Sequence, residues 1–345
     1  MTSDTSDILF ARRGAAGIVT LNRPKALNAV THEMVRALAR QLDAWADDAA
    51  VTRVIVTAAG DRAFSAGGDI RALYDLGRAG RQEEALGFFR EEYTLNTAIK
   101  RYRKPYVSLI DGIVMGGGFG VSVHGSHRVA GDRFAFAMPE VGIGFFPDVG
   151  GTFVLPRMPD EIGTWCALTG DRLKTADAVA TGIATHHVRS DRFPDLADAL
   201  CGNISVDATL AAFAEAAGEG PVAAKRAAIG RLFAGSAVED ILGALDGAPD
   251  WAATAATIRT KSPTSLKLAL RQVRRGRDWS FEQCMQAEMR IVSHIVYGHD
   301  FYEGVRAVIV DKDNAPRWKP ATLAEVAGAE VERHFSALDK ELELP

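Results

Sequence analysis

The residues whose types and spacing could do chemistry lie between Met115 and Gly151. Three successive glycines, Gly116 to Gly118, follow an apolar run, and two carboxylates, Glu140 and Asp148, stand eight residues apart among aromatic and apolar neighbours. Backbone N–H groups without side-chain obstruction can approach a developing oxyanion closely. A carboxylate set among Phe and Ile has a proton affinity that its surroundings can tune. That is the layout of an active site. A glycine cluster is also an ordinary tight turn, and an acid beside aromatics an ordinary cap or solvated edge, so the rest of the chain has to decide.

The elements around this stretch repeat a pattern. Ile8 to Phe10 and Gly17 to Leu21 are short β-rich segments, and Arg53 to Thr57 reads as a buried strand. Between them Met34, Leu38, Leu42 and Trp45 recur at helical spacing behind Thr31, a good N-cap. A second glycine turn, Ser65 to Asp69, follows a strand, and its amides can point into a cleft. Gln82 to Tyr102 is helical by pattern, Lys104 and Pro105 stop it, and Tyr106 to Val114 reads as the strand before the triple glycine. Strand, glycine turn and helix thus occur twice, which predicts an α/β architecture of repeated β-β-α units.

Beyond Gly151, Leu155 to Gly170 and Thr175 to Gly182 read as helices, Ala184 to Val188 as extended, and Ser190 to Pro194 as a boundary. From Val206 onward nearly everything has helical period. Capping-box spacing recurs at Ser236 and Glu239, Ser280 and Gln283, and Thr322 and Glu325, and Ser262 before Pro263 is another helix start. The expected organisation is an α/β core carrying the active site over residues 1–200 and a helical region over residues 201–345 that packs on it.

Composition narrows the function classes. Of 345 residues 47% are hydrophobic and 24% charged, ordinary for a globular chain, and a net charge of −4 leaves no electrostatic footprint for nucleic acid or an anionic membrane. No apolar run is long enough for a membrane span. Three scattered cysteines, with an amino terminus of the form MTSDTSD, lead us to expect a reducing compartment, no leader and a cytoplasmic protein. No dinucleotide fingerprint survives, because Val121 stands where the third glycine would be. Ser122 in GVSVH lacks the second glycine of a nucleophile elbow and reads as a packed helix residue. The paired histidines, such as His124 with His127, show no convergent ligand set for a metal. Arg271, Arg274, Arg275 and Arg277 form the densest basic run, either a solvated helix end or a clamp for a ligand phosphate.

With these segments assembled, the chain resembles the crotonase superfamily of acyl-CoA enzymes, and within it the 3-hydroxyisobutyryl-CoA hydrolase branch. The resemblance is carried by TLNRPKALNAVT at Thr20 to Thr31, FSAGGDIRAL at Phe64 to Leu73, FFREEYTLN at Phe88 to Asn96, KPYVSLIDGIVMGGGFGVSVHG at Lys104 to Gly125 and FAMPEVGIGFFPDVGG at Phe136 to Gly151. It continues through LTGDRLKTADAVATGIATHHV at Leu168 to Val188, KSPTSLKLALRQ at Lys261 to Gln272 and GHDFYEGVRAVIVDKDNAPRWKP at Gly298 to Pro320, and it is weakest over residues 190–260.

The resemblance implies a spiral of ββα units and an oxyanion hole of two backbone amides, which by position fall on Ala66 and Gly117, with a helix from Gly117 adding its dipole. Hydratases of the superfamily carry one glutamate just after the triple glycine and one in a PE dipeptide. Here Gly120 occupies the first place and only Glu140 remains, whereas the hydrolase branch pairs the PE glutamate with the aspartate matching Asp148. Glu140 would attack the thioester to give a mixed anhydride or activate water as a general base. Asp148 would orient the substrate 3-hydroxyl or the water, and Glu92 would line the acyl pocket. Coenzyme A, as part of the substrate, would lie along Lys25, Ala26 and Leu27 and along Ala66, Gly67 and Gly68, with no metal or redox cofactor. The implied reaction is a step of valine breakdown, and a homo-oligomer is compatible with the superfamily. The competing readings are an enoyl-CoA hydratase or isomerase that uses Asp148 in place of the lost glutamate, and a silent acyl-CoA-binding protein.

Overall fold

The computed structural model describes residues 6–345, so most of the acidic amino terminus invoked above lies outside the described residues. β1 (Ile8–Arg13) and β2 (Ala16–Leu21) form the expected antiparallel hairpin, closed at Gly14 with φ +56°. β3 (Arg53–Ala58) and β4 (Ala63–Ser65) follow, then β5 (Tyr106–Ile110) and β6 (Ile113–Met115), then β7 (His127–Ala130) and β8 (Ala135–Ala137). β9 (Leu173–Lys174) and β10 (His186–His187) are short.

These strands build two sheets, β1-β2-β3-β5-β7-β10 and β4-β6-β8-β9. From β3 to β8 each successive pair sends its first strand to the larger sheet and its second to the smaller one. β3, β5 and β7 are parallel neighbours, as are β4, β6 and β8. This is a spiral of ββα turns. The segment read as one strand from Tyr106 to Val114 is two, broken at Gly112 (φ +87°), where a methyl group would sit 2.7 Å from the Arg62 carbonyl oxygen. The chain changes sheet there because only glycine tolerates both the backbone conformation and the approach.

The helix His32–Asp47 starts as predicted, with Thr31 Oγ1 accepting from the Met34 N–H, and it buries Met34, Leu38, Leu42 and Trp45. Gln82–Lys100 is a helix buried on several sides, which puts Glu92, Tyr93 and Asn96 inside the protein. The run from Leu155 to Gly170 is not one helix. Pro156 and Pro159 lack the donors to continue it, so two 3-10 turns, Leu155–Arg157 and Pro159–Glu161, precede the helix Ile162–Thr169. The extended stretch from Ala184 shrinks to His186–His187, and Ser190 to Pro194 leads directly into the helix Phe193–Leu200, with Pro194 in its first turn. Of the capping boxes, Ser280 with Gln283 forms as spaced. Thr322 with Glu325 closes a single 3-10 turn. The first box is displaced by one residue, because Asp240 rather than Glu239 returns to the Ala237 N–H.

Side chains of β3 alternate between two apolar clusters: Val54 and Val56 join the larger, Ile55 the smaller with Val107, Leu109, Leu196 and Leu200. The larger cluster takes in residues from Ile8 to Leu342, so the helices from Arg226 onward bury their apolar faces in the same core as the spiral, while Leu196, Leu200, Val206 and Leu210 pack in the smaller cluster. Phe145 illustrates the join, stacking on Phe89 at 5.5 Å and meeting Phe301 at 5.5 Å.

Candidate active site

Three parallel neighbours of the smaller sheet deliver three chain segments side by side at their carboxyl ends. β4 releases Ala66 to Asp69, β6 releases Gly116 and Gly117, and β8 releases Pro139 and Glu140. Residues far apart in the chain thus meet at one sheet edge, the usual place for a ligand in parallel α/β architecture. They line a cavity of about 770 Å³ together with Ala26, Leu27, Glu92 and Asp148, closed by Phe88, Phe89 and Phe145 and, from the C-terminal region, by Lys261, Val308 and Ile309.

The two glycine turns touch. A methyl group at Gly117 would lie 2.7 Å from Glu92 Oε1 and 3.1 Å from the Gly68 nitrogen, and one at Gly116 (φ +42°) would lie 3.3 Å from Gly67 Cα and 3.5 Å from Glu140 Oε1. Among the described residues the N–H groups of Gly68 and Gly117 donate to no protein acceptor. The Ala66 N–H does: it is bonded to the Leu27 carbonyl at 2.9 Å. The N–H expected to be free at Ala66 is spent anchoring the Leu27 turn, and in this stretch it is the Gly68 N–H that is left free. The helix expected from Gly117 is a single turn, Gly117–Gly120, so individual N–H groups matter here more than an extended dipole. Ser122 lies just beyond it, buried, its hydroxyl donating back to the Gly118 carbonyl at 2.6 Å.

The carboxyl groups are more numerous than the sequence reading supposed. Glu140 is buried and its Oε2 has no partner; burial first, then the charges of Asp148 and Glu288, raise its pKa well above the ordinary carboxylate value. Glu92 is 2% exposed, its Oε1 is unpartnered, and its pKa is raised well, by burial, Asp148 and Glu288 in that order. Asp148 is pushed up to about 7 by burial, while a 2.9 Å hydrogen bond donated by the Tyr93 hydroxyl to its Oδ2 pulls the other way. Behind Asp148, Glu288 is raised to about 8, by burial and by Asp148. The one lysine in the wall, Lys261, has its pKa lowered by burial. This is a cluster of acids that can hold and exchange protons near neutral pH beside two free backbone donors.

Nine of the sequence-predicted residues converge on this cavity: Glu140, Asp148, Ala66, Gly117, Glu92, Gly67, Gly68, Ala26 and Leu27. Lys25 does not; it is exposed on the 3-10 turn Pro24–Ala26, outside the cavity wall. Nor do the four arginines. Arg271 and Arg275 pair with Glu332, and Arg274 and Arg277 with Glu161, so the basic run is consumed in ion pairs. Among the described residues no three His, Cys, Asp or Glu side chains are grouped to hold a metal ion, and no helix is long and apolar enough to cross a membrane. Sequence reasoning missed Tyr93, Glu288 and Gln272. Tyr93 was signalled only by its place one residue after Glu92; the other two had no local signal.

Comparison with known proteins accounts for this arrangement. Residues 16–335 match the family model described as enoyl-CoA hydratase/isomerase. The chain is 47% identical to a mitochondrial 3-hydroxyisobutyryl-CoA hydrolase of Danio rerio, over 97% of this chain and 91% of that protein. It is 41% identical to the Homo sapiens protein of the same name, over 98% and 90%. A crystal structure described as a carnitinyl-CoA dehydratase from Mycobacterium thermoresistibile superposes with a TM-score of 0.94 at 45% identity, covering 98% of this chain and 99% of that one. The chain belongs to the enoyl-CoA hydratase/isomerase family.

Proposed function

We propose that the protein is an acyl-CoA thioester hydrolase acting on 3-hydroxyisobutyryl-CoA, the activity named for relatives that match nearly its whole length. One observation carries this reading at the site. Glu140 and Asp148 share a cavity with the free N–H groups of Gly68 and Gly117, while position 120 has no room for a glutamate. A methyl group there would already lie 2.8 Å from Asn96 Nδ2 and 3.0 Å from Val149 Cβ. A hydratase's second carboxylate has no entry from that direction.

The thioester carbonyl oxygen sits between the Gly68 and Gly117 donors, which stabilise the negative charge it gains on attack; one such donor contributes about 3 to 4 kcal/mol. Attack comes either from water, its proton taken by Glu140, or from the Glu140 carboxylate itself, giving an anhydride that water then opens. In both routes a C–O bond replaces the C–S bond and the CoA thiolate leaves, collecting a proton from the carboxyl cluster. Asp148, held by Tyr93, orients the 3-hydroxyl or the water, and Glu92 faces the acyl group. We assign the reaction no metal or redox cofactor, and exhaustive chelation is expected to leave the rate unchanged. We place the reaction in valine breakdown and the protein in the cytoplasm, the latter tested by cell fractionation; sedimentation tests for a homo-oligomer.

The decisive experiment is release of free thiol from 3-hydroxyisobutyryl-CoA, expected to fall by about 10²- to 10⁴-fold in Glu140→Gln. No thiol release by the wild type refutes the assignment. Single turnover in heavy-oxygen water separates the routes, since label in Glu140 marks the anhydride. A second reading is favoured by one observation: Glu92 and Glu140 flank the Gly116 and Gly117 turn from two sides, a two-carboxylate arrangement that could add or remove water, as the name of the dehydratase neighbour suggests. Hydration of crotonyl-CoA without thiol release would establish that reading instead.

A further inference from the structure

Asp148 is carried by the segment from Pro147 to Thr152, which passes through two left-handed residues, Val149 (φ +50°) and Gly150 (φ +88°). A β-branched residue seldom takes this conformation and keeps it only where its surroundings over-determine it. The surroundings come from far along the chain. Gln272 Nε2, on the helix Pro263–Gly276, donates to the Pro147 carbonyl at 2.5 Å and to Thr152 Oγ1 at 3.2 Å. His124, kept neutral by burial with its pKa lowered to about 4, meets the Val149 carbonyl through Nε2 at 2.6 Å. Glu288, on the helix Phe281–Ile295, spends both carboxyl oxygens on this segment: Oε2 accepts from the Gly150 N–H and Oε1 from the Thr152 N–H, each at 2.9 Å.

Glu288 is fully buried and does not line the cavity. Its helix neighbours Met285, Met289, Ile291 and Val292 are buried and apolar, so packing alone would be served by another aliphatic side chain. Burying an acid there is costly. What a carboxyl group supplies and an aliphatic one lacks is a pair of acceptors for two N–H groups of one turn; a glutamine offers one acceptor and confronts the other N–H with its own amide hydrogens.

We infer that Glu288 is a positioning residue for the reaction: through Gly150 and Thr152 it locks the left-handed turn that aims Asp148 into the cavity against Tyr93, so the C-terminal helical region sets active-site geometry as well as covering it. This rests on Asp148 taking part in the thioester hydrolysis assigned above.

The test is a double-mutant cycle on thiol release with wild type, Glu288→Gln, Asp148→Asn and the double variant. Loss of the lock lowers kcat by about 10²-fold, the effect of a misplacement near 1 Å, with KM little changed. In the Asp148→Asn background the same change costs less than about threefold further, because the two residues act as a unit. Glu288→Asp, which keeps both acceptors, restores part of the rate. A full additional loss in the double variant, or a rise in KM with kcat unchanged, overturns the inference. If Glu288→Gln does not fold, Gln272→Leu frees the same turn at Pro147 and takes its place in the cycle with the same expected pattern. Amide hydrogen exchange reads the lock without substrate: exchange at Gly150 and Thr152 at least about 10-fold faster in Glu288→Gln, or in Gln272→Leu if that replaces it, supports it, and unchanged exchange overturns it. A wild type that releases no thiol refutes the assigned reaction and leaves the exchange result standing.

Discussion

Replacing Tyr93 by Phe removes one hydroxyl and changes little else, since Tyr93 is fully buried and its ring packs against Phe89. What is lost is the 2.9 Å hydrogen bond to Asp148 Oδ2, which favours the ionised carboxylate. A hydrogen bond to a charged group contributes about 1.5 to 3 kcal/mol, and about 1.4 kcal/mol moves a pKa by one. Asp148, already pushed up to about 7 by burial, is then expected to titrate at about 8 to 9. The free enzyme's titration is read in the pH profile of kcat/KM for thiol release. If Asp148 works as a carboxylate, the acid limb moves to higher pH by that amount. The rate at pH 7 falls about 5- to 50-fold, and most of it returns near pH 10 after subtraction of spontaneous thioester hydrolysis. A limb that stays in place, or moves to lower pH, refutes the claim that Tyr93 holds Asp148 in its charged form. A uniform loss at every pH would mean that the hydroxyl touches the substrate instead.

Three further outcomes follow from the same geometry. Because burial raises the pKa values of Glu92, Glu140, Asp148 and Glu288, the folded protein binds more protons than the unfolded chain between the ordinary carboxylate range and about 8. Stability therefore declines as pH rises through that window, and thermal unfolding is expected at higher temperature near pH 5.5 than near pH 8.5; the opposite order counts against a cluster of buried protonated acids. Gly117→Ala drives a methyl group to 2.7 Å from Glu92 Oε1 and crowds the Gly68 N–H, and should lower kcat by about 10²- to 10³-fold; a rate within threefold of wild type removes Gly117 from the oxyanion site. Arg274→Met breaks the contacts to Glu161, Thr164, Phe233 and Gly235 and should cost about 2 kcal/mol of stability in denaturant unfolding with KM for acyl-CoA unchanged; a large rise in KM would return the phosphate clamp to consideration.

Local chemistry was readable where it depended on neighbours in the chain. The period of Met34, Leu38, Leu42 and Trp45, the cap at Thr31 and the β-branched run from Arg53 all formed the predicted elements, because helix and strand periods and capping are short-range. The break at Gly112 was missed because its cause is the Arg62 carbonyl, some fifty residues earlier in the chain. In the sequence the run of arginines fits either a solvated helix end or a phosphate clamp, because its ion-pair partners, Glu161 and Glu332, are distant along the chain.

The amino-acid sequence by itself supplied two glycine turns, two carboxylates and a glycine at position 120, and through the family resemblance the expectation that the turns and carboxylates share one site; in the fold these line one cavity. That much was legible because residue types and their order are themselves the signal. Which N–H groups of those turns are free, that Tyr93 faces Asp148, and that Glu288 holds the Asp148 turn from the C-terminal helices were decided only by the tertiary structure. The direction of an N–H depends on what the backbone around it bonds to, as the Leu27 carbonyl shows by claiming Ala66 and leaving Gly68. The proton affinity of an acid depends on which other acids are buried beside it, and those come from segments that only the packed core brings together.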